Sequence, residues 1–340
     1  MRKHKIYLLL FMVICFLQPL VRVSASEMKF SVQAVIPENQ IDKSQSYFDL
    51  KMSPGQIQDI QVNLYNDTDK DVTIEITPHA ATTNQNGVVE YNTQNNKKDD
   101  TLKIAFQDIA KTEEEVTVGA KSKKQILVHI VMPKDSYDGV VLGGLYFTEK
   151  IKEDNTNNSN NGQVINRYAY VIGVKLTETE TKISPELKLN EVKASQINYR
   201  NFFTANIQNY KPAIIKDLSI DGKIFKKGES KVLYSDKRQG LKMAPNSNFD
   251  YTISLGDKPF KPGKYTFKGI AKSERKQWNF EKDFEIKGKA AKSFNKKSVS
   301  IKKDHTWIYF LLGGLLLISL LIIILILLKK LNSLKNNVKE

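Results

Sequence analysis

The chain has 340 residues, a formal net charge of +15, 41% apolar and 26% charged residues, and one cysteine. A single cysteine excludes a disulfide framework, and four histidines with no partner at ligand spacing leave no zinc motif. No GxSxG elbow, P-loop or nucleophilic cysteine is present, so composition and motifs give no sign of an enzyme or of a cofactor.

At the N-terminus, Arg2, Lys3 and Lys5 precede an apolar run over 6–17, and Val23-Ser24-Ala25 supplies the small residues of a cleavage site. This is the layout of a secretory signal peptide spanning 1–25, with cleavage expected after Ala25 or after Ser26. Cys15 lies inside it, so the exported chain holds no cysteine. An exported domain without disulfides points to a bacterial surface protein, most simply a Gram-positive one.

From about 27 to 288 the pattern is β. Ile60, Val62 and Leu64 alternate with polar residues, as do Val72, Ile74 and Ile76, and then Ile126, Val128, Ile130 and Met132. Phe203, Ala205 and Ile207, then Tyr251, Ile253 and Leu255, then Tyr265 and Phe267 repeat the period of two. Turn chemistry separates the runs at Pro54-Gly55, Asn66-Asp67, Asn86-Gly87, Asp138-Gly139, Asp221-Gly222 and Pro262-Gly263. No amphipathic helix is expected in this region. The fold class is all-β: two immunoglobulin-like β-sandwich domains plus one C-terminal transmembrane helix.

The first domain is placed at 27–180 and the second at 181–288. Residues 153–162 (EDNTNNSNNG) are wholly polar and read either as a hairpin tip inside the first domain or as the linker itself, which would move the boundary to 150–162. Residues 92–100 form a second polar loop. The acidic runs Asp99-Asp100 and Glu113-Glu114-Glu115 are expected to be solvated charge.

Charge divides the chain unevenly. Residues 27–150 carry 13 lysines against 19 acids, net −6, whereas 182–288 carry 22 basic residues against 12 acids, net +10. Residues 289–306 add six lysines against Asp304 and read as a basic stalk. Lys292, Lys296, Lys297, Lys302 and Lys303 are candidate contacts to an anionic surface, either lipid head groups or wall-polymer phosphates; the alternative is solubilising charge. Residues 308–328 are uncharged and apolar, about 31 Å as a helix, which matches a bilayer core. A transmembrane helix at 307–328 leaves a cytoplasmic tail at 329–340 and the N-terminal part extracellular, in the cell wall. No LPxTG-type sorting signal precedes the span. Nucleic acid is not an expected partner of an exported chain.

Three segments carry a family resemblance: Pro37-Glu38-Asn39-Gln40 with Ser46-Tyr47-Phe48-Asp49-Leu50 and Pro54-Gly55-Gln56; Leu142-Gly143-Gly144-Leu145-Tyr146-Phe147; and Asn166-Arg167-Tyr168-Ala169-Tyr170. With the leader, two β domains and one span, the chain resembles the WxL-interacting proteins of low-GC Gram-positive bacteria over nearly its whole length. The resemblance implies a peptidoglycan-binding first domain, a host-binding second domain, and WxL proteins, peptidoglycan, the membrane and host extracellular-matrix proteins as partners. No Trp-x-Leu occurs in the chain, whose tryptophans read Trp278-Asn279-Phe280 and Trp307-Ile308-Tyr309. It would be the partner of such a protein.

Phe48 and Leu50 are expected in the core, and Gly143-Gly144 marks a bulge or a close backbone approach. Asn39, Gln40 and Tyr47 are the candidate ligand-binding residues, because amides and an exposed phenol suit a glycan. The function expected is that of a membrane-anchored surface binding protein. The alternatives are a structural stalk or assembly chaperone without glycan affinity, and a wall-active enzyme.

Overall fold

The computed structural model describes residues 28–92, 98–150, 168–274, 276–301 and 306–337. The leader, the 153–162 segment, Lys302 and Lys303 lie outside the described residues.

The first sandwich pairs two sheets. One runs β1 (Ser31–Val35), β3 (Ile57–Asn66), β9 (Ser122–Val131), β7 (Ala110–Thr112). The other runs β2 (Phe48–Lys51), β11 (Ala169–Thr177), β10 (Val141–Glu149), β4 (Val72–Ala80), β8 (Glu115–Val118). β2 lies parallel to β11, and the remaining neighbours are antiparallel. Successive side chains on a strand point to opposite faces. The period-2 runs therefore place Ile60, Val62, Leu64, Ile74, Ile126, Val128 and Ile130 in one core, with Phe48, Leu50 and Phe147 fully buried among them. The short hairpin β5 (Thr82–Thr83) and β6 (Val89–Glu90) projects from this sandwich, its Asn86-Gly87 turn using the positive φ of Gly87, 69°.

The second sandwich sets β12 (Leu187–Ile197), β13 (Arg200–Asn209) and β16 (Ser247–Ser254) against β15 (Val232–Met243), β14 (Ile215–Lys226), β17 (Gly263–Ser273) and β18 (Lys276–Ile286). Its core centres on Phe203, whose ring lies 5.5 Å from Phe260, 5.6 Å from Phe284 and 5.9 Å from Tyr265. Both domains are immunoglobulin-like sandwiches.

Three features depart from the sequence reading. Asp221-Gly222 is not a turn: β14 runs through it, and Gly222 pairs with Gly269 and Asp236. A Cβ there would come within 2.7 Å of the Tyr251 ring, so the glycine makes room for a buried aromatic. Two helices also occur, one within the β region and one after it. A single turn, α1 (Phe106–Ile109), tucks Phe106 under β10. A longer helix, α2 (Gly288–Lys297), replaces much of the expected stalk. Ala291 and Phe294, three residues apart, give it one apolar edge against the second core. That edge is too narrow to announce itself among the four lysines of the helix.

α3 (Thr306–Asn337) contains the 22-residue segment Ile308–Lys329, long and apolar enough to cross a membrane. The helix continues through most of the expected tail.

Candidate functional site

The described parts of the three segments singled out in the sequence bring adjacent strands of one sheet together, alternate residues facing the core and the outer surface, while Asn166 and Arg167 lie outside the described residues. Tyr47-Phe48-Asp49-Leu50 supplies β2, the 142–147 segment supplies β10, and Ala169-Tyr170 opens β11, so the motifs occupy three adjacent strands. Phe147 and Tyr170 are cross-strand partners, and the register of β10 with β11 and β4 is continuous through Gly143 and Gly144. The two glycines serve close approach and not a bulge.

Each glycine receives a ring on a different face. A Cβ on Gly143 would lie 2.3 Å from Phe106, on the core side. A Cβ on Gly144 would lie 2.9 Å from the Tyr91 ring, on the outer side. Gly144 is paired with Gly173 on β11, and a Cβ there would sit 3.7 Å from the Tyr91 hydroxyl and 3.7 Å from Tyr47 Cβ. Tyr91 thus lies along a trough made by two facing glycines, and its phenol reaches toward Tyr47. Burial and the neighbouring Tyr47 raise the Tyr91 pKa above its ordinary value.

The face continues on both sides. Tyr146 makes an edge contact with His79 on β4, ring centroids 6.1 Å apart at 66°. Burial lowers the His79 pKa, which favours the neutral imidazole. On the β2 side, Lys175 meets the buried carboxylate of Asp49 at 3.0 Å. Tyr47 is 37% exposed and Val171 41%. The result is an open, aromatic strip flanked by an ion pair and an imidazole. Flat rings with polar edges offer contact area at low entropic cost, together with hydroxyl donors and acceptors.

The candidate residues do not all share this strip. Gln40 is buried, and its amide is fully used within the chain: Nε2 donates to the carbonyls of Asp42 and Tyr47, and Oε1 accepts from Asp49 N–H. Asn39 exchanges two 2.9 Å hydrogen bonds with the Gln58 amide. Asp42 closes the turn between them by accepting from Ser44 and Gln45, which hold its carboxyl at about 2. These amides shape the loop that presents Tyr47. Lys292, Lys296 and Lys297 are exposed on α2, at the far end of the second sandwich. Sequence reasoning missed Tyr91, Gly173 and His79 as members of one face. Tyr91 stands at the edge of a polar loop with no periodicity around it.

Among the described residues no three His, Cys, Asp or Glu side chains gather as a metal site.

The family model described as WxL Interacting Protein, peptidoglycan binding domain, matches residues 30–149. The model described as WxL Interacting Protein, host binding domain, matches residues 159–296. No curated protein matches the chain in sequence. Among solved structures, the E. coli chaperone DraB is similar at 12% identity and TM-score 0.29, covering 76% of this chain and 98% of its own. The CsuC–CsuE chaperone–adhesion subunit complex of Acinetobacter baumannii gives 12% and 0.31, with 75% and 98% covered. A PapD-like domain of human CEP192 gives 11% and 0.27, with 49% and 97% covered.

Proposed function

The chain belongs to the WxL Interacting Protein family, and on that premise we propose that it is a membrane-anchored, non-enzymatic surface protein whose first sandwich holds peptidoglycan on its aromatic strip. The single observation that carries the site is Tyr91 lying over the Gly144–Gly173 pair. It joins the motif strands of the first domain into one open surface of the right chemistry for sugar rings. The domains are taken as 27–180 and 181–288, with a membrane-spanning segment at 307–328 and a short tail inside. The second sandwich then supplies contact with host matrix protein, and WxL proteins join the assembly beside it. The export signal and span support an extracellular N-terminal part.

The test is sedimentation of the detergent-solubilised full chain with purified peptidoglycan. The first sandwich is net negative over 27–150, so retention should survive about 0.3 M salt, where charge attraction is largely screened. Changing Tyr47→Ala together with Tyr91→Ala should weaken retention roughly tenfold, about what two aromatic contacts contribute. Full retention by the double variant would remove the strip from the binding surface. No retention of the unaltered chain would favour a stalk or assembly role.

A further inference from the structure

We propose that the end of the second sandwich from which the span departs is a docking surface for anionic lipid head groups, so that this domain sits on the outer leaflet and does not swing from a tether. The inference rests on the anchoring reading above and extends it to a defined surface.

Three segments meet at this end. The two-residue turn between β12 and β13 is Asn198-Tyr199, with φ of 48° and 58°. Such a turn needs positive φ at both positions, which asparagine accepts readily and a bulky tyrosine does not. Tyr199 is nonetheless there and is 63% exposed. Beside it, the Val299 N–H donates to the Tyr199 carbonyl at 2.9 Å, and Val299 is 67% exposed. The loop after β16 is fixed to the same place through Asn295 of α2. Asn295 Nδ2 donates to the Phe260 carbonyl at 2.9 Å, and its Oδ1 accepts from the Phe260 N–H at 2.8 Å and from Asn201 at 3.1 Å. The turn, the loop and the helix end therefore form one rigid base.

The base is basic. Arg200, Lys258, Lys261, Lys296 and Lys297 are all exposed around it, with Asp257 exposed among them, and the carboxylates of Glu229 and Asp283 at the same end are paired with Lys226 and Lys227. Lys258 also lies 5.6 Å from the Tyr234 ring. Two exposed side chains with apolar bodies inside a rim of cations match a bilayer interface, where tyrosine sits at head-group level and lysine meets phosphate.

Chain length brings that interface within reach. Five residue steps separate Ile301, the last described residue of the base, from Thr306, where α3 begins. An extended chain covers at most about 18 Å in that distance. The base is thus held within that distance of the start of α3, and its exposed apolar side chains favour lipid over a soluble polyanion.

Without the 1–25 leader, and with it Cys15, the chain holds no cysteine and is a background for single labels at Tyr199→Cys, Val299→Cys or, as a distant control, Lys70→Cys in the first sandwich. The full chain is reconstituted in phosphatidylglycerol or phosphatidylcholine vesicles carrying a head-group quencher. Flotation with the vesicles is read first, because its failure would overturn the anchor itself. In floating protein, labels at 199 and 299 should be quenched in the anionic vesicles and the label at 70 should not. Lys296→Gln with Lys297→Gln should lower the docked-to-free ratio roughly 25-fold, about fivefold for each lysine near an anionic surface. Equal solvent exposure at 199 and 299 in both lipids would overturn the inference and leave the anchor intact. Shielding that appears only when soluble poly(glycerol phosphate) is added would assign the base to a wall polymer and equally reject lipid docking.

Discussion

Asp99 of the first sandwich accepts a hydrogen bond from Gln208 of the second, 2.6 Å from Nε2 to Oδ1. Asn248 donates to the other carboxylate oxygen at 2.6 Å, and Asp99 is only 8% exposed. This aspartate was expected to be solvated charge in a polar loop; it is instead a buried tie between domains. Around it, the Thr83 and Ser247 hydroxyls meet at 2.6 Å, the Lys242 N–H donates to the Gly87 carbonyl at 2.7 Å, and the Val140 N–H donates to the Pro212 carbonyl at 2.8 Å. The two domains are joined by directional hydrogen bonds. Such an interface fixes one orientation more firmly than a smooth apolar contact would.

Asp99→Ala should loosen that junction. It leaves the Gln208 and Asn248 amides without their acceptor, and a buried unsatisfied amide costs on the order of 1–3 kcal/mol. The two sandwiches should then unfold in separate calorimetric steps, and small-angle scattering should report a larger radius of gyration. A single unchanged transition and an unchanged radius would show that the carboxylate does not hold the domains together.

Gly143→Ala should destabilise the first sandwich although alanine is the smallest possible change. The added methyl would stand 2.3 Å from the Phe106 side chain, which is fully buried and has nowhere to go. Overpacking of this kind costs typically 1–3 kcal/mol. Gly313→Ala in α3, where no atom lies within 4 Å, is the matched control. Denaturant midpoints of the two variants measure the difference.

His79 predicts a pH dependence. Burial places its folded-state pKa below 6.5, so the unfolded chain binds more protons between that value and 6.5. The contribution is fully present above 6.5 and is lost as pH falls toward the folded pKa. Melting temperatures at pH 7.5, 6.5 and 5.5 should fall more steeply for the unaltered chain than for His79→Gln. Parallel curves would mean that burial does not desolvate the imidazole in the folded chain.

Period and turn residues made most of the architecture legible. Ile60 to Leu64 and Ile126 to Ile130 alternate because one face of each strand is dry, and sandwiches need only that. What stayed hidden depends on contacts distant in sequence. Gly222 reads as half of an Asp-Gly turn until Tyr251 is seen to need its space. The apolar edge of α2 is two residues wide and lies among lysines. Gly144 and Tyr91 are separated by 53 positions, and neither carries a local signal that they touch. Asn39 and Gln40 were legible as polar residues in a distinctive segment, but only the fold reveals that their amides bond within the chain. Tyr47 alone of the three candidates lies on the aromatic strip.

The last prediction concerns β11. The family models place the gap between the two binding domains at 149–159, which assigns β11 to the host-binding half. Its hydrogen bonds run the other way. β11 lies between β10 and β2 in the first sandwich and contributes Ile172, Val174 and Leu176 to that core. The Thr177 carbonyl accepts from the Met52 N–H at 2.9 Å, and Glu178 accepts from the Tyr137 N–H at 2.7 Å, so the strand is also fixed at its exit. Full burial of three such side chains stabilises by about 1.5–3 kcal/mol each. Their sum is comparable to the whole stability of a small domain, roughly 5–15 kcal/mol. A fragment ending at 150 should therefore lack a cooperative thermal transition, whereas one ending at 180 should have it. Adding a peptide of residues 168–180 to the shorter fragment should restore β-type circular dichroism, because the missing strand can pair on both edges. A shorter fragment that melts cooperatively without the peptide would show that the first sandwich closes without β11.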